Sequence, residues 1–145
     1  MNDDDEAHFS FPKVKEIGTY CFYRCYDLTT CELPELEAIP TRSFYCCWKL
    51  KKLDCPKVTI VSGGYSIYEA KEVEEILLPN LTSISGRSAI FGCLKLKTLD
   101  LGLCDEIAAS SSSYPTVDLR VSNLLENLIL RKPQGIVYPL DSNRI

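Results

Sequence analysis

The chain has 145 residues, one domain's worth of sequence and enough to bury a core without disulfides or metals. Its formal net charge of −4 argues against a nucleic-acid binder that relies on a basic patch. No apolar run approaches the roughly 20 residues of a membrane span, and the acidic start MNDDDEAHF lacks the pattern of a secretory signal. We therefore expect no membrane insertion, and an intracellular protein unless the chain belongs to a longer exported one.

A repeat of 22 or 23 residues runs along most of the chain. Its units start at Pro12, Pro34, Pro56, Pro79 and, with glycine in place of proline, Gly102. The second and fifth residues after each start are apolar or cysteine, and each unit closes with apolar residues in the spacing of Leu96, Leu99 and Leu101. Because five units match in register, we expect a solenoid whose stacked units bury one continuous core.

The closing triplet of each unit has the alternation of a short strand with one buried face. The segment before it, such as Tyr20 to Asp27, spaces its apolar residues more like one or two helical turns. The sequence therefore predicts an α/β repeat of about five units of 22–23 residues. Short parallel strands are expected on one face of this solenoid, and short helical or irregular segments on the other.

The two ends of the chain depart from the repeat. We assign residues 1–8 to an acidic N-terminal tail, residues 9–130 to the solenoid and residues 131–145 to a C-terminal capping tail. Phe9 to Phe11 matches a closing triplet without a unit before it, which predicts an open edge that upstream repeats, a partner or a second copy would cover. The fifth unit is longer and includes Ser110 to Ser113, where we expect a mobile loop.

At these columns the sequence resembles the BspA-like leucine-rich-repeat family, whose units read P-x-V-x-x-I-G-x-x-A-F-x-x-C-x-x-L-x-x-I-x-L. The resemblance covers Phe9 to about Leu130 and is most specific in IGTYCFYRCYDL, which starts at Ile17, and in ISGRSAIFGCLKL, which starts at Ile84. It implies a leucine-rich-repeat solenoid, commonly part of bacterial surface or secreted proteins that bind other proteins or host surfaces. It implies no enzymatic activity and no cofactor.

An aromatic column departs from the family pattern, which has a small or polar residue after the small–apolar pair. The column consists of Tyr23, Tyr45, Tyr68 and Phe91, and a shorter one three residues later consists of Tyr26 and Trp48. If both columns face outward they form an aromatic ridge, a composition enriched at binding hot spots. The alternative is that the rings pack on one another and shield the edges of the coils.

The outward face of the strand ladder is the second candidate surface. It is predicted to carry Thr30, Lys52, Glu75 and Thr98 in one column and Glu32, Asp54, Leu77 and Asp100 in the other. Acidic groups beside exposed apolar ones suit a basic protein partner. The alternative is an ordinary solvated sheet face whose charges prevent aggregation.

Eight cysteines raise the questions of disulfides, metal binding and catalysis. Most lie at repeat positions held by small or apolar residues, which favours buried thiols over disulfides. Cys21, Cys25, Cys46 and Cys47 come from adjacent units, but their spacing fits a zinc site only loosely, so we predict no metal. The only histidine, His8, lies in the N-terminal segment, and no catalytic motif is present.

The sequence therefore predicts a non-enzymatic protein-binding module without a cofactor, which recognises a protein partner through its solenoid surface. One alternative is a small intracellular inhibitor that blocks a functional surface of its target. Another is a structural element that self-associates through the open N-terminal edge.

Overall fold

A computed structural model describes residues 6–107, 114–131 and 136–137. The predicted mobile loop and most of both predicted tails lie outside these residues. Within them the chain forms fourteen strands: β1 (Ala7–Ser10), β2 (Leu28–Glu32), β3 (Ala38–Pro40), β4 (Lys52–Asp54), β5 (Ile60–Ser62), β6 (Ile67–Tyr68), β7 (Glu75–Leu77), β8 (Ser83–Ser85), β9 (Ile90–Phe91), β10 (Thr98–Asp100), β11 (Glu106–Ile107), β12 (Val117–Asp118), β13 (Asn127–Ile129) and β14 (Ile136–Val137).

The strands make three parallel ladders, so each unit is one coil of a β-solenoid. The first sheet has six strands in the order β1-β2-β4-β7-β10-β13, and it contains the closing triplets of the units. The second runs β11-β8-β5-β3 and the third runs β14-β12-β9-β6. About five coils stack in this way, so the predicted leucine-rich-repeat solenoid with a ladder of parallel strands is confirmed.

Of the short helical or irregular segments predicted for the other face, the described residues contain turns and short strands but no helix. The reason lies in two columns of left-handed backbone, four residues apart in each coil. They contain Tyr20, Arg42, Tyr65 and Ser88 in one and Arg24, Cys46, Glu69 and Gly92 in the other, with φ between 49° and 74°. A right-handed helix cannot pass through such residues.

Hydrogen bonds between coils replace the helical ones in these segments. The N–H of Phe22 donates to the carbonyl of Ser43, and that of Phe44 donates to Ser66 one coil further on, both at 2.9 Å. Alternate residues of the later coils bond in the same way. Residues between these, such as Tyr23 and Tyr45, donate to the carbonyl three residues back in their own coil, so the segment is satisfied by a ladder between coils combined with tight turns.

The apolar columns of the repeat fill the space between the three sheets. In the first sheet Leu53, Ile76 and Leu99 lie side by side in register and are fully buried. Phe44 and Ile39 are buried as completely on the other two sides. The N-terminal coil is the exception, since Phe9 and Phe11 are 40% and 37% exposed. The core is therefore continuous along the stack and open at its first rung.

Gly102 stands where the other units have proline, and the backbone explains the exchange. Its φ is 45°, which proline cannot adopt. A Cβ atom there would also lie 1.9 Å from the carbonyl oxygen of Pro79 in the preceding coil. This corner therefore requires glycine.

Candidate partner-binding surfaces

The eight residues predicted for the strand face lie in two columns of the first sheet. Thr30, Lys52, Glu75 and Thr98 are cross-strand neighbours in one column. Asp54, Leu77 and Asp100 are neighbours in the other, with Glu32 on β2. The predicted register is therefore the observed one. Leu77 is half-buried, and Ile129 is 50% exposed at the C-terminal end of the face.

Polar groups on the strand face contact one another across the coils. Lys52 Nζ lies 3.4 Å from a carboxylate oxygen of Glu75 and 3.9 Å from one of Asp54. A 2.9 Å hydrogen bond joins His8 Nδ1 and Thr30 Oγ1, and Ser10 donates to Glu32 at 3.1 Å. Many of the charged and hydrogen-bonding side chains of this face are thus already paired within the chain.

The lysines flanking the strand face are paired in the same way. Ion pairs between coils join Lys49 to Asp27, Lys51 and Lys95 to Glu72, Lys57 to Glu35, and Lys97 to Glu74, with N–O distances of 2.7–3.6 Å. The hydrogen bond from Lys51 lowers the pKa of Glu72, and the charges of Lys51 and Lys95 act in the same direction. The cations on these flanks are therefore neutralised locally.

A cleft of about 410 Å³ opens in the strand face between β2 and β4. These strands pair only through Thr30 and Lys52. The residues that line the cleft include Glu32, Leu33, Asp54 and Pro56. Among the described residues no group of three or more histidine, cysteine or acidic side chains is placed to hold a metal ion.

The side of the solenoid formed by the third ladder carries the predicted aromatic columns, and we call it the aromatic side. It consists of residues 19–26, 41–48, 64–71, 87–94 and 114–121, which are successive turns of the third ladder. The rings of the main column stack one on the next: Tyr23 on Tyr45 at 5.0 Å between centroids, Tyr45 on Tyr68 at 4.9 Å, and Tyr68 on Phe91 at 5.2 Å. All four are half-buried, so both faces of Tyr45 and Tyr68 are occupied.

The shorter column is more exposed. Tyr26 and Trp48 have ring centroids 4.3 Å apart and are 38% and 39% exposed. Lys71 continues the column one coil further on, with its Nζ 4.5 Å from the centre of the Trp48 ring. Leu94 extends it again and is 47% exposed.

Sequence reasoning missed a third column, three residues before the stacked rings. Tyr20, Arg42 and Tyr65 occupy it, and the guanidinium of Arg42 lies 5.4 Å from the Tyr20 ring centre and 4.9 Å from that of Tyr65. Arg42 also donates a hydrogen bond to the hydroxyl of Tyr20. The same repeat alignment that revealed Tyr23 and Tyr45 would have revealed this column.

A pocket of about 310 Å³ lies at the C-terminal end of the aromatic side. The guanidinium carbon of Arg87 lies 3.3 Å from the centre of the Tyr114 ring. Across the pocket, Arg120 makes a bidentate contact with Asp118, whose side chain is buried. Tyr65 and Tyr68 complete the wall.

Most of the cysteines contribute to the core. Six of the eight are buried, and Cys21 is exposed. Burial raises the pKa of the Cys55 and Cys93 thiols to about 12. These thiols are therefore protonated at neutral pH, and a protonated thiol is a poor nucleophile and a poor metal ligand.

Comparison with known families agrees with the repeat and the coils. The model of the BspA type leucine rich repeat region matches six copies over residues 4–113. No curated protein and no solved structure matches the chain significantly. Among the described residues no helix is long and apolar enough to cross a membrane. The chain therefore belongs to the BspA-type leucine-rich-repeat family, whose solenoids commonly serve in protein–protein interaction and are generally non-enzymatic.

Proposed function

We propose that this protein is a non-enzymatic protein-binding module and that its main contact surface is the aromatic side. The observation that carries the proposal is the outer rim of that side. Tyr20, Trp48 and Tyr114 are each more than a third exposed and lie beside arginine or lysine side chains, and the equally exposed Tyr26 lies against Trp48. Tyrosine, tryptophan and arginine are the residues most enriched where binding energy is concentrated.

Packing accounts for the inner rings of the aromatic side but not for its rim. Tyr45 and Tyr68 are covered on both faces by neighbouring rings, so they stabilise the stack of coils. Trp48 contacts Tyr26 and Lys71, yet much of its large apolar surface stays in water. In our proposal the inner column holds the surface flat, and the rim contacts the partner.

The strand face is the secondary contact surface in this proposal. Exposed Thr30, Glu32, Lys52 and Asp54 line its cleft, which is acidic overall. A basic segment of a partner would fit there by charge. The internal ion pairs of Lys52 make it the weaker of the two surfaces, because a partner would have to replace contacts that already exist.

The test compares capture of proteins from the native host by three immobilised baits. These are the wild type, the rim variant Tyr26→Ser/Trp48→Ser, and the strand-face control Lys52→Gln/Glu75→Gln. We expect a protein that the wild type and the control capture and that the rim variant loses, while circular dichroism shows all three folded. Capture that survives the rim change and is lost in the control would move the binding surface to the strand face. If the captured protein is an enzyme, its activity with and without added solenoid tests the inhibitor alternative.

Self-association is a second candidate, and the first rung of the solenoid favours it. Among the described residues β1 is the first strand of the first sheet, and Phe9 within it and Phe11 just after it are exposed. An unpaired strand edge with apolar neighbours is a template for a second copy. Sedimentation of the full chain over a range of concentrations decides the point. A monomer at every concentration would reject self-association, and a dimer that Phe9→Ser/Phe11→Ser abolishes would support it.

A further inference from the structure

The aromatic side carries positive charge in an otherwise acidic protein. Its five segments contain four arginines and one lysine against two acids, Glu69 and Asp118, which leaves three positive charges. The whole chain carries a net charge of −4, so the rest of it carries −7. The five segments of the aromatic side are therefore positive within a chain that is otherwise negative.

These cations are arranged differently from those near the strand face. Within the part of the chain that the structure describes, only Arg120 among the five has a carboxylate partner. The other four lie over aromatic rings: Arg24 over Tyr23 at 5.1 Å, Arg42 over Tyr65, Lys71 over Trp48 and Arg87 over Tyr114. A ring face holds a cation in place without neutralising it.

A guanidinium that lies on a ring can still donate from its N–H edge, and Arg42, which gives one N–H to the Tyr20 hydroxyl, keeps its other donors. That planar edge matches a carboxylate, which it binds through two parallel hydrogen bonds. Arg42 and Arg87 lie on the same ring, 4.9 and 6.0 Å from the centre of Tyr65, so their guanidinium carbons are within about 11 Å of each other. Residues three apart in a polyproline II segment lie on the same face and are separated by about 9 Å, which is within that limit.

From this arrangement we propose that the aromatic side binds an acidic peptide segment of its partner, with Arg42 and Arg87 each holding one carboxylate. The inference rests on the proposed function, since it names the chemistry of the partner at the same surface. At the inner column the ring stack argues for a peptide over a nucleic acid. Nucleic-acid bases stack on the faces of aromatic rings, and both faces of Tyr45 and Tyr68 are already covered.

The test titrates the full chain with a fluorescein-labelled peptide that has glutamate at every third position and glycine or serine between. The same peptide with glutamine in place of glutamate is the ligand control. We expect the glutamate peptide to bind, the glutamine peptide not to bind, and added salt to weaken the complex. Net repulsion from an acidic chain makes non-specific binding of this probe unfavourable.

Two protein variants locate the site. Arg42→Gln/Arg87→Gln should weaken peptide binding about tenfold or more, because two charge-assisted bidentate contacts are lost. Lys57→Gln/Lys97→Gln removes the same amount of charge from the paired lysines and should leave the affinity within about twofold. Arg42→Lys/Arg87→Lys should fall between them, since it keeps the charge and loses the planar fork.

The outcomes separate this inference from the proposed function. Absence of glutamate-peptide binding, equal loss in both glutamine variants, or binding of heparin in place of the peptide would each overturn the inference. If the rim variant loses the captured host protein while Arg42→Gln/Arg87→Gln retains it, the aromatic side binds its partner by another chemistry. The proposed function would then stand without the acidic peptide.

Discussion

The strand face and the aromatic side are formed by the same coils but differ in how their side chains are satisfied. On the strand face and its flanks, lysines meet acidic residues of the neighbouring coil. On the aromatic side the arginines lie on rings, and only Arg120 meets a carboxylate among the described residues. Both arrangements repeat at the coil spacing. The first leaves little for a partner to bind, while the second leaves charge and apolar area exposed.

Both surfaces rest on one core, and truncation of a core side chain beneath each surface measures how tightly that part of the core is packed. Phe44 is fully buried beneath the aromatic side and stacks on Phe22 at 5.4 Å, while Leu53 is fully buried beneath the strand face. Phe44→Ala should lower the free energy of unfolding by about 3–5 kcal/mol and Leu53→Ala by about 2–5 kcal/mol. Urea unfolding gives both values. A loss below about 1 kcal/mol for Phe44→Ala would show that the core under the rings is loose.

The stacked column itself gives the next largest effect. Tyr45→Ser removes two ring stacks and should cost about 1–3 kcal/mol, since each aromatic pair contributes about 0.5–1.5 kcal/mol. Tyr20→Ser at the exposed rim should cost about 1 kcal/mol or less, because it removes one ring contact, one cation–ring contact and one exposed hydrogen bond from Arg42. Thermal and urea unfolding of the pair measure the difference. Equal costs would remove the distinction between a packed inner column and a binding rim.

The repeat and its apolar columns were predictable from sequence, whereas the path of the chain between strands was not. The columns of Lys52, Glu75 and Thr98 follow from aligning units, because the strand period fixes which residues point outward. The segments around Arg24 and Glu69 look helical in their apolar spacing. Their left-handed backbone escapes notice because glycine, its usual marker, appears there only at Gly92.

The candidate site was predictable along its repeat columns and not at its C-terminal end. Tyr23, Tyr45 and Tyr68 form a sequence column, so their stacking follows from the repeat. Arg42 and Tyr65 share another column in adjacent coils, so the same alignment would have found their contact. Arg87 meets Tyr114 across an irregular fifth unit, and that contact depends on a placement of the coil that the residue pattern alone does not give.

Stability at alkaline pH measures how well water is excluded from the core beneath each of the two surfaces. Burial raises the pKa of two thiols from 9.0 to about 12. Cys93 lies beneath the aromatic side and Cys55 beneath the strand face. Below about pH 9 both thiols are protonated in the folded and unfolded chains. Between pH 9 and 12 only the unfolded chain loses the proton, so stability falls as pH rises, by about 1.4 kcal/mol per pH unit for each thiol.

Replacement of each cysteine by alanine isolates its contribution to that slope. Cys93→Ala and Cys55→Ala should each flatten the fall in stability between pH 9 and 12, measured by urea unfolding at a series of pH values. The exposed Cys21 supplies the control, and Cys21→Ala should change the slope less. A thiol whose removal leaves the slope unchanged is already in contact with water in the folded protein.

The smallest expected effect is at the ion pairs of the strand face, and it bears most directly on the comparison. Lys52 and Glu75 are each about half exposed, so their 3.4 Å pair is screened by solvent. Lys52→Gln should lower the free energy of unfolding by less than about 1 kcal/mol, and Glu75→Gln by a similar amount. The double variant should show little coupling between them, and less still at high salt. A coupling well above about 1 kcal/mol would mean that the strand-face ladder is itself a stabilising network. The paired charges of the strand face would then be explained by stability alone. The cations of the aromatic side would be the charges that ion pairing does not explain.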